Sequence, residues 1–257
     1  MNNFAFCTIT YGEKYLKMGD VLISQLNKLG GHVFVMTNHP EHYEESDLLT
    51  VVEYTKPYFS FHEKKTIIKE CFKQYETAVF LDADVVLMDT VKDLNIFQDI
   101  DPGIHILATF GNLMNTFVND DVARCENLSL RNAKYGQKGI DFLKDNGYEY
   151  MKMWHNIRMD YLEHYLEGKW MLKKDDGKED KFFEIWDKIA IFAENMDIEL
   201  GFLNTIGAGE GGAMSIAAHN SGIKCNVPSR LCGYINQHFI SNYQEKMDGT
   251  KPWNIAG

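Results

Sequence analysis

Over its first 110 residues the chain alternates short apolar runs with stretches of helical spacing, which restricts it to a sheet that carries helices on its faces. Phe4 to Ile9 is an apolar run of strand type, and from Glu13 the residues Leu16, Val21, Leu22, Leu26 and Leu29 recur at helical intervals up to a Gly30-Gly31 stop. His32 to Thr37 and Thr50 to Tyr54 read as the second and third strands, and Phe61 to Gln74 as a helix. Thr77 to Leu81 and Val85 to Met88 flank an Asp82-Ala83-Asp84 triplet, and Ile104 to Thr109 is a further strand. Such an α/β alternation predicts a largely parallel sheet with helices on both faces.

Beyond residue 110 the pattern changes. Residues 112–193 hold much of the charged and aromatic helical-looking sequence, including Lys144 to Trp170, and predict a mainly helical insertion with an exposed charged turn at 173–181. Apolar strand-like sequence resumes at Ile198 to Ile206, followed by a glycine-rich turn, a small-residue helix from Ala213 to Ser221, and strands near Ile223 to Val227 and Gly233 to Phe239. The expected organisation is one domain over 1–257, with the insertion inside it and a tail or lid at 241–257.

Charge and cysteine usage narrow the function classes. With 26 Lys+Arg against 37 Asp+Glu the net charge is −11, which disfavours nucleic acid and anionic membranes as partners. Five scattered cysteines without a C-x-x-C suggest neither a disulfide framework nor a thiolate zinc site, and Cys7 and Cys71 lie in apolar stretches as core residues. No apolar run approaches the roughly 20 residues of a membrane span, and Met1 to Tyr11 lack the features of a signal peptide. A cytoplasmic location is expected.

The most informative segment is Ala78 to Met88. Two carboxylates two residues apart at the end of an apolar strand open onto the carboxyl edge, where open α/β sheets bind ligands. Hard oxygen donors of this kind suit Mg²⁺ or Mn²⁺, with phosphate oxygens completing the shell. Two chemistries use such a pair. Asp82-Ala-Asp-Val-Val86 matches the D-x-D-x-[TV] string of haloacid-dehalogenase-type phosphatases. That family places the motif on its first strand and needs paired acids on a later one, whereas here three strands precede it and Asp175-Asp176 lies in a polar loop.

The other chemistry is transfer from a nucleotide sugar. Tyr58-Phe-Ser-Phe-His-Glu-Lys-Lys65, a helix, and Val79-Phe-Leu-Asp-Ala-Asp-Val85 together resemble the core of GT-A fold glycosyltransferases. The likeness is to both the blood-group-type α-1,3-galactosyl and N-acetylgalactosaminyl transferases and the glycogenin and lipopolysaccharide-galactosyltransferase group. It implies that Asp82 and Asp84, the DxD motif, hold Mn²⁺ or Mg²⁺ on the diphosphate of a UDP-sugar, with Ala83 beside the donor. It also implies that Lys65, seventeen residues upstream of Asp82, meets the diphosphate or the donor sugar. Thr8-Ile-Thr-Tyr-Gly-Glu-Lys-Tyr15 is similar to the Ala-x-Gly-x-Tyr opening of the blood-group-like enzymes, which assigns uracil to backbone groups near Thr8 and Thr10 and a stacking role to Tyr11 or Tyr15.

Gly207-Ala-Gly-Glu-Gly-Gly212 spells G-x-G-x-x-G, yet it comes after four or five strands and no acid follows before Glu245, which argues against a dinucleotide fold. Its distinctive residue is Glu210, alone among small residues at the mouth of a helix that favours an ionised carboxylate. In the blood-group-type enzymes a Glu at the corresponding turn sits beside the anomeric carbon. The resemblance therefore makes Glu210 a nucleophile or leaving-group stabiliser in a retaining reaction, a base in an inverting one, or a ligand to acceptor hydroxyls. Gly249-Thr-Lys-Pro-Trp253 is similar to the His-x-x-Gly-x-x-Lys-Pro-Trp ending of the glycogenin group, with one residue fewer between Gly and Lys. It implies a phosphate role for Lys251, with His238 or Glu245 as third metal ligand. The resemblance thus implies a GT-A, Rossmann-like, metal-dependent transferase that moves a sugar from UDP to an acceptor hydroxyl, retaining by resemblance. A phosphatase, or a phage-type transferase acting on a modified nucleic-acid base, is the alternative.

Overall fold

A computed structural model describes residues 3–87, 92–107, 135–148, 168–207, 210–226 and 235–237. The expected opening is present: β1 Phe4–Thr10, α1 Glu13–Lys28, β2 Val33–Thr37, β3 Leu49–Glu53, α2 Lys64–Cys71, β4 Thr77–Leu81, β5 Val85–Leu87 and β6 Gly103–Ile106. α2 is shorter than the 61–74 pattern because Phe61–Glu63 forms a single tight turn capped by the Ser60 hydroxyl, which accepts from the His62 amide. Then follow α3 Gly136–Asp145, β7 Lys169–Lys173, α4 Lys178–Glu199, α5 Glu210–Ser221, β8 Cys225–Asn226 and β9 Ile235–Gln237.

Among the described residues the main sheet has seven strands in the order β3-β2-β1-β4-β7-β6-β8, and β5 pairs with β9 in a second, two-stranded sheet. β1, β2, β3 and β4 run parallel, whereas β7 is antiparallel to both β4 and β6. The fold is therefore a mixed, mostly parallel α/β sheet of Rossmann-like type. Alternate residues of each strand serve opposite faces. Ala5, Cys7, Ile9, Ala78 and Phe80 join Ile67, Ile68 and Cys71 of α2 and Phe182, Trp186 and Ile189 of α4 on one side. Phe4, Phe6, Val79 and Leu81 join Leu22, Ile23 and Leu26 of α1 on the other. Both faces being covered, the strands read as apolar runs without polar alternation.

Two expectations are corrected. The stretch read as helical up to Trp170, inside the presumed 112–193 insertion, ends in β7, which sits in the middle of the sheet. Trp170, Met171 and Leu172 are all fully buried there, so five residues with an apolar centre satisfy their backbone by pairing with β4 and β6. α4 likewise belongs to the main core, and the 173–181 charge run is a turn at 174–177 followed by its first residues. Ile198 to Ile206 is not a strand: α4 runs through Glu199, and the segment after it folds as turns with Leu200, Phe202 and Leu203 exposed. The tail expected at 241–257 lies outside the described residues.

A polar cluster fixes the chain ahead of α2. Lys56 Nζ pairs with Glu63 at 2.6 Å and with Glu194 of α4 at 2.7 Å, while the Ser60 and Tyr58 hydroxyls donate to Glu194. Burial raises the Glu63 carboxyl, but hydrogen bonds from Lys56 and Thr66 and the charges of Lys65 and Lys56 outweigh it and leave Glu63 below its ordinary value. A carboxylate lowered by folding stabilises above its unfolded value, about 4.3 for Glu, and that contribution is lost as pH falls through the folded one. We predict that Lys56→Met lowers unfolding stability at neutral pH by on the order of 2 kcal/mol, less than for a fully buried pair because the lysine is partly solvated. Below about pH 4 the difference from wild type shrinks as Glu63 protonates, which urea titrations across that range read directly.

Candidate functional site

From β1 the sheet grows one way through β2 and β3 and from β4 the other way through β7, β6 and β8, so the strand order reverses between β1 and β4. Such a switch point leaves a crevice at the carboxyl ends of the two strands. Thr10 and Asp82 stand at that edge, since the last paired position is Cys7 with Phe80. A turn closed by the Val85 amide on the Asp82 carbonyl (2.9 Å) ends β4, and the Asp82 amide donates to the Gly168 carbonyl just before β7 (2.7 Å). Within the turn Ala83 is buried against Met18 of α1, so its small side chain lets the turn sit down on that helix while its flanking carboxylates serve the crevice.

The lysine that reaches Asp82 is Lys64. Its Nζ lies 3.3 Å from Asp82 Oδ1 and 2.8 Å from Glu210 Oε1, and 5.2 Å from the centre of the Phe80 ring. Lys64 and Glu210 are both almost fully buried, whereas the Asp82 side chain is 30% exposed. An ammonium held between two carboxylates makes a chain Asp82–Lys64–Glu210 that joins the end of β4 to the start of α5. Lys65, the residue expected at the diphosphate, has its Nζ 3.3 Å from Asp187 of α4. One residue along a helix turns the side chain by about 100°, which is enough to change its partner helix.

α5 begins at Glu210, three residues before the expected start at Ala213, and the Glu210 carboxylate lies where the helix dipole favours negative charge. Gly207, three residues earlier, has φ +71, and a Cβ there would meet His62 Cδ2 at 2.7 Å. Its amide donates to Asp197 Oδ2 at 2.8 Å. His62 is buried and accepts at Nδ1 from the Trp186 indole N–H (3.0 Å). That bond requires the tautomer with its hydrogen on Nε2, because indole only donates.

On the β1 side, Gly12 follows the strand with φ +80 and donates its amide to Asn38 Oδ1 at 2.9 Å, tying the loop to the end of β2. Thr8 and Thr10 are buried; Thr10 accepts from the Tyr43 hydroxyl, and the Thr8 hydroxyl has no hydrogen-bond partner among the described residues. The Tyr11 ring packs on Tyr54 and Phe59, with centroids 5.0 and 5.4 Å away. Tyr15 is exposed, and burial of its hydroxyl end, then the charges of Asp84 and Asp82, push the phenol up from its ordinary value. The tyrosine therefore stays a neutral hydroxyl facing the two aspartates. The structure thus brings Thr8, Thr10, Tyr15, Asp82, Asp84 and Glu210 to one edge. His238, Glu245 and Lys251 lie outside the described residues.

Asp82 and Asp84 offer oxygen donors alone, the set that Mg²⁺ or Mn²⁺ takes when phosphate oxygens and water fill the remaining positions. Among the described residues no group of three His, Cys, Asp or Glu side chains gathers to hold a metal, and the expected third ligands His238 and Glu245 lie outside them. Sequence reasoning gave the lysine role to Lys65 and none to Lys64 or to Asp197, whose position one helix away has no local signal. No protein-family model matches the chain, and no curated protein matches its sequence.

Replacing Lys64 by Met strips the buried Glu210 of this cation and is expected to cost about 3 kcal/mol. Lys65→Met, facing a carboxylate that is 38% exposed, should cost under ~1 kcal/mol. Urea unfolding of the two variants separates them, and equal costs would contradict the placement.

Proposed function

We propose that the protein is a metal-dependent glycosyltransferase of the GT-A type that moves a sugar from a UDP-sugar to an acceptor hydroxyl. The observation that carries the reading is the Asp82–Lys64–Glu210 chain at the switch point between β1 and β4. It sets two kinds of carboxylate at one edge: a pair after β4 able to hold a cation, and a buried one beside an ammonium. The nucleoside lies at the mouth of β1, along Thr8 to Gly12, with Tyr15 closing the side toward the aspartates. Asp82 and Asp84 would hold Mn²⁺ or Mg²⁺, which when bound would supply Lewis-acid neutralisation of the departing UDP. Lys64 adds a fixed positive charge on the same side of the leaving group, the role first expected of Lys65. Glu210 faces the carbon that changes partners, and we read the reaction as retaining.

The phosphatase reading is disfavoured by position. Lys173 pairs with Thr77, at the amino end of β4, so Asp175 and Asp176 follow β7 out of the opposite edge of the sheet from Asp82. They lie on the order of 20 Å from it along the strand, too far to share a cation. A nucleic-acid acceptor would add salt-dependent DNA binding, which a chain of net charge −11 disfavours.

The test is calorimetric. UDP at 100 times its Kd with Mn²⁺ should stabilise the protein by about 2.7 kcal/mol, a Tm rise of roughly 5 to 10 °C. UDP with chelator should give little. Asp84→Ala should abolish both the shift and metal-dependent hydrolysis of UDP-sugars. No stabilisation by UDP with Mn²⁺, together with turnover that survives Asp84→Ala, sinks the proposal.

A further inference from the structure

The geometry points to Asp197 as a positioning residue for Glu210, resting on the transferase reading for what Glu210 faces. Asp197 lies near the end of α4 and is fully buried. Its two carboxylate oxygens are divided between separate parts of the chain: Oδ1 accepts from the Tyr135 hydroxyl at 2.9 Å and Oδ2 from the Gly207 amide at 2.8 Å. Its own carbonyl accepts from the Phe202 amide at 2.8 Å, so both ends of the turn that follows α4 are tied to this one residue. On its other side the turn is fixed by the Phe61 amide, which donates to the Ile206 carbonyl at 3.3 Å. Gly207 then rests on Ser60 and His62, where a Cβ would stand 3.0 Å from the Ser60 hydroxyl.

These contacts make a common anchor for the two segments that present the site. Trp186, Glu194 and Asp197 fall at helical intervals along α4. Trp186 holds His62, Glu194 holds Ser60, and Asp197 holds Gly207. Two residues after His62 comes Lys64, and three after Gly207 comes Glu210. The 2.8 Å pair between Lys64 and Glu210 therefore joins two segments whose bases are both fastened to α4. Asp197 sets where α5 starts and hence where the Glu210 carboxylate stands. It does so through a backbone amide, which no side chain of the turn can replace. A carboxylate here accepts two bonds at once, and its amide analogue can still accept from Gly207 through its oxygen while donating to the tyrosine oxygen.

The experiment compares Asp197→Ala, Asp197→Asn and Tyr135→Phe in the full chain. For Asp197→Ala we expect faster amide exchange confined to the segment that carries Gly207, and a fall in kcat for UDP-sugar hydrolysis on the order of 100-fold, as for a catalytic group displaced by about 1 Å. KM for the donor and the Kd for UDP with Mn²⁺ should stay near wild type, because the nucleotide is held at β1 and β4. Asp197→Asn should restore kcat, and Tyr135→Phe, which leaves the Gly207 bond in place, should keep it. Retained kcat in Asp197→Ala, or a loss matched by weaker UDP binding, overturns the assignment. If the wild type turns over no UDP-sugar, the transferase reading fails by itself. The positioning claim is then decided by a double-mutant cycle on stability between Lys64→Met and Glu210→Gln. Coupling that falls in the Asp197→Ala background supports it, and unchanged coupling overturns it.

Discussion

The buried ammonium of Lys64 is the constraint around which the site is arranged. A charge this far from water is tolerable only with opposite charge at contact distance, and Asp82 and Glu210 supply it from two elements more than a hundred residues apart in sequence. The ammonium also lies over the Phe80 ring, so the aromatic core of β4 and the polar crevice meet at one side chain. The pairing closes the space between α2, β4 and α5. It also places a fixed positive centre inside a chain whose overall charge is −11.

The sheet topology explains why this arrangement stands at an opening. β1 continues into β2 and β3 on one side and β4 has β7 on the other, which puts a switch point of the strand order at their carboxyl ends. The loop after β1 is held by Asn38 and the turn after β4 by the carbonyl of Gly168. Both restraints are donated by backbone amides, one to the Asn38 side chain and one to the Gly168 carbonyl, and the Asp82 carboxylate is held in addition by Lys64.

What could be read in advance follows physical range. β1 to β5, α1, α2 and α5 were legible because apolar periodicity is a local property, and Asp82, Asp84 and Glu210 because acids flanked by apolar or small residues interrupt that pattern. The choice between Lys64 and Lys65 was not legible, since adjacent lysines have the same chemistry and only the rotation of α2 separates Asp82 from Asp187. β7 was missed for a related reason: five residues flanked by lysines carry too few periods to distinguish a strand from a helix. Ile198 to Ile206 misled in the opposite way, with apolar residues that end a helix and line an exposed turn. Asp197 gave no signal because its partners, Gly207 and Tyr135, are set by tertiary packing alone.

β7 has a consequence for how the chain comes off the ribosome. β4 is made early, but its neighbour on one side arrives only after about ninety further residues. Until then β4 offers an unpaired edge of Thr77-Ala-Val-Phe-Leu81, all apolar after the threonine, a segment well suited to pairing with the wrong partner. The Asp82 amide waits as well, since its acceptor is the carbonyl of Gly168. A nascent N-terminal half therefore carries the whole aspartate motif without its final geometry. Insertion of an antiparallel strand between β4 and β6 completes the crevice late and is a non-local step of the kind that slows folding. The same strand that hid from sequence reading makes the site a product of the finished chain.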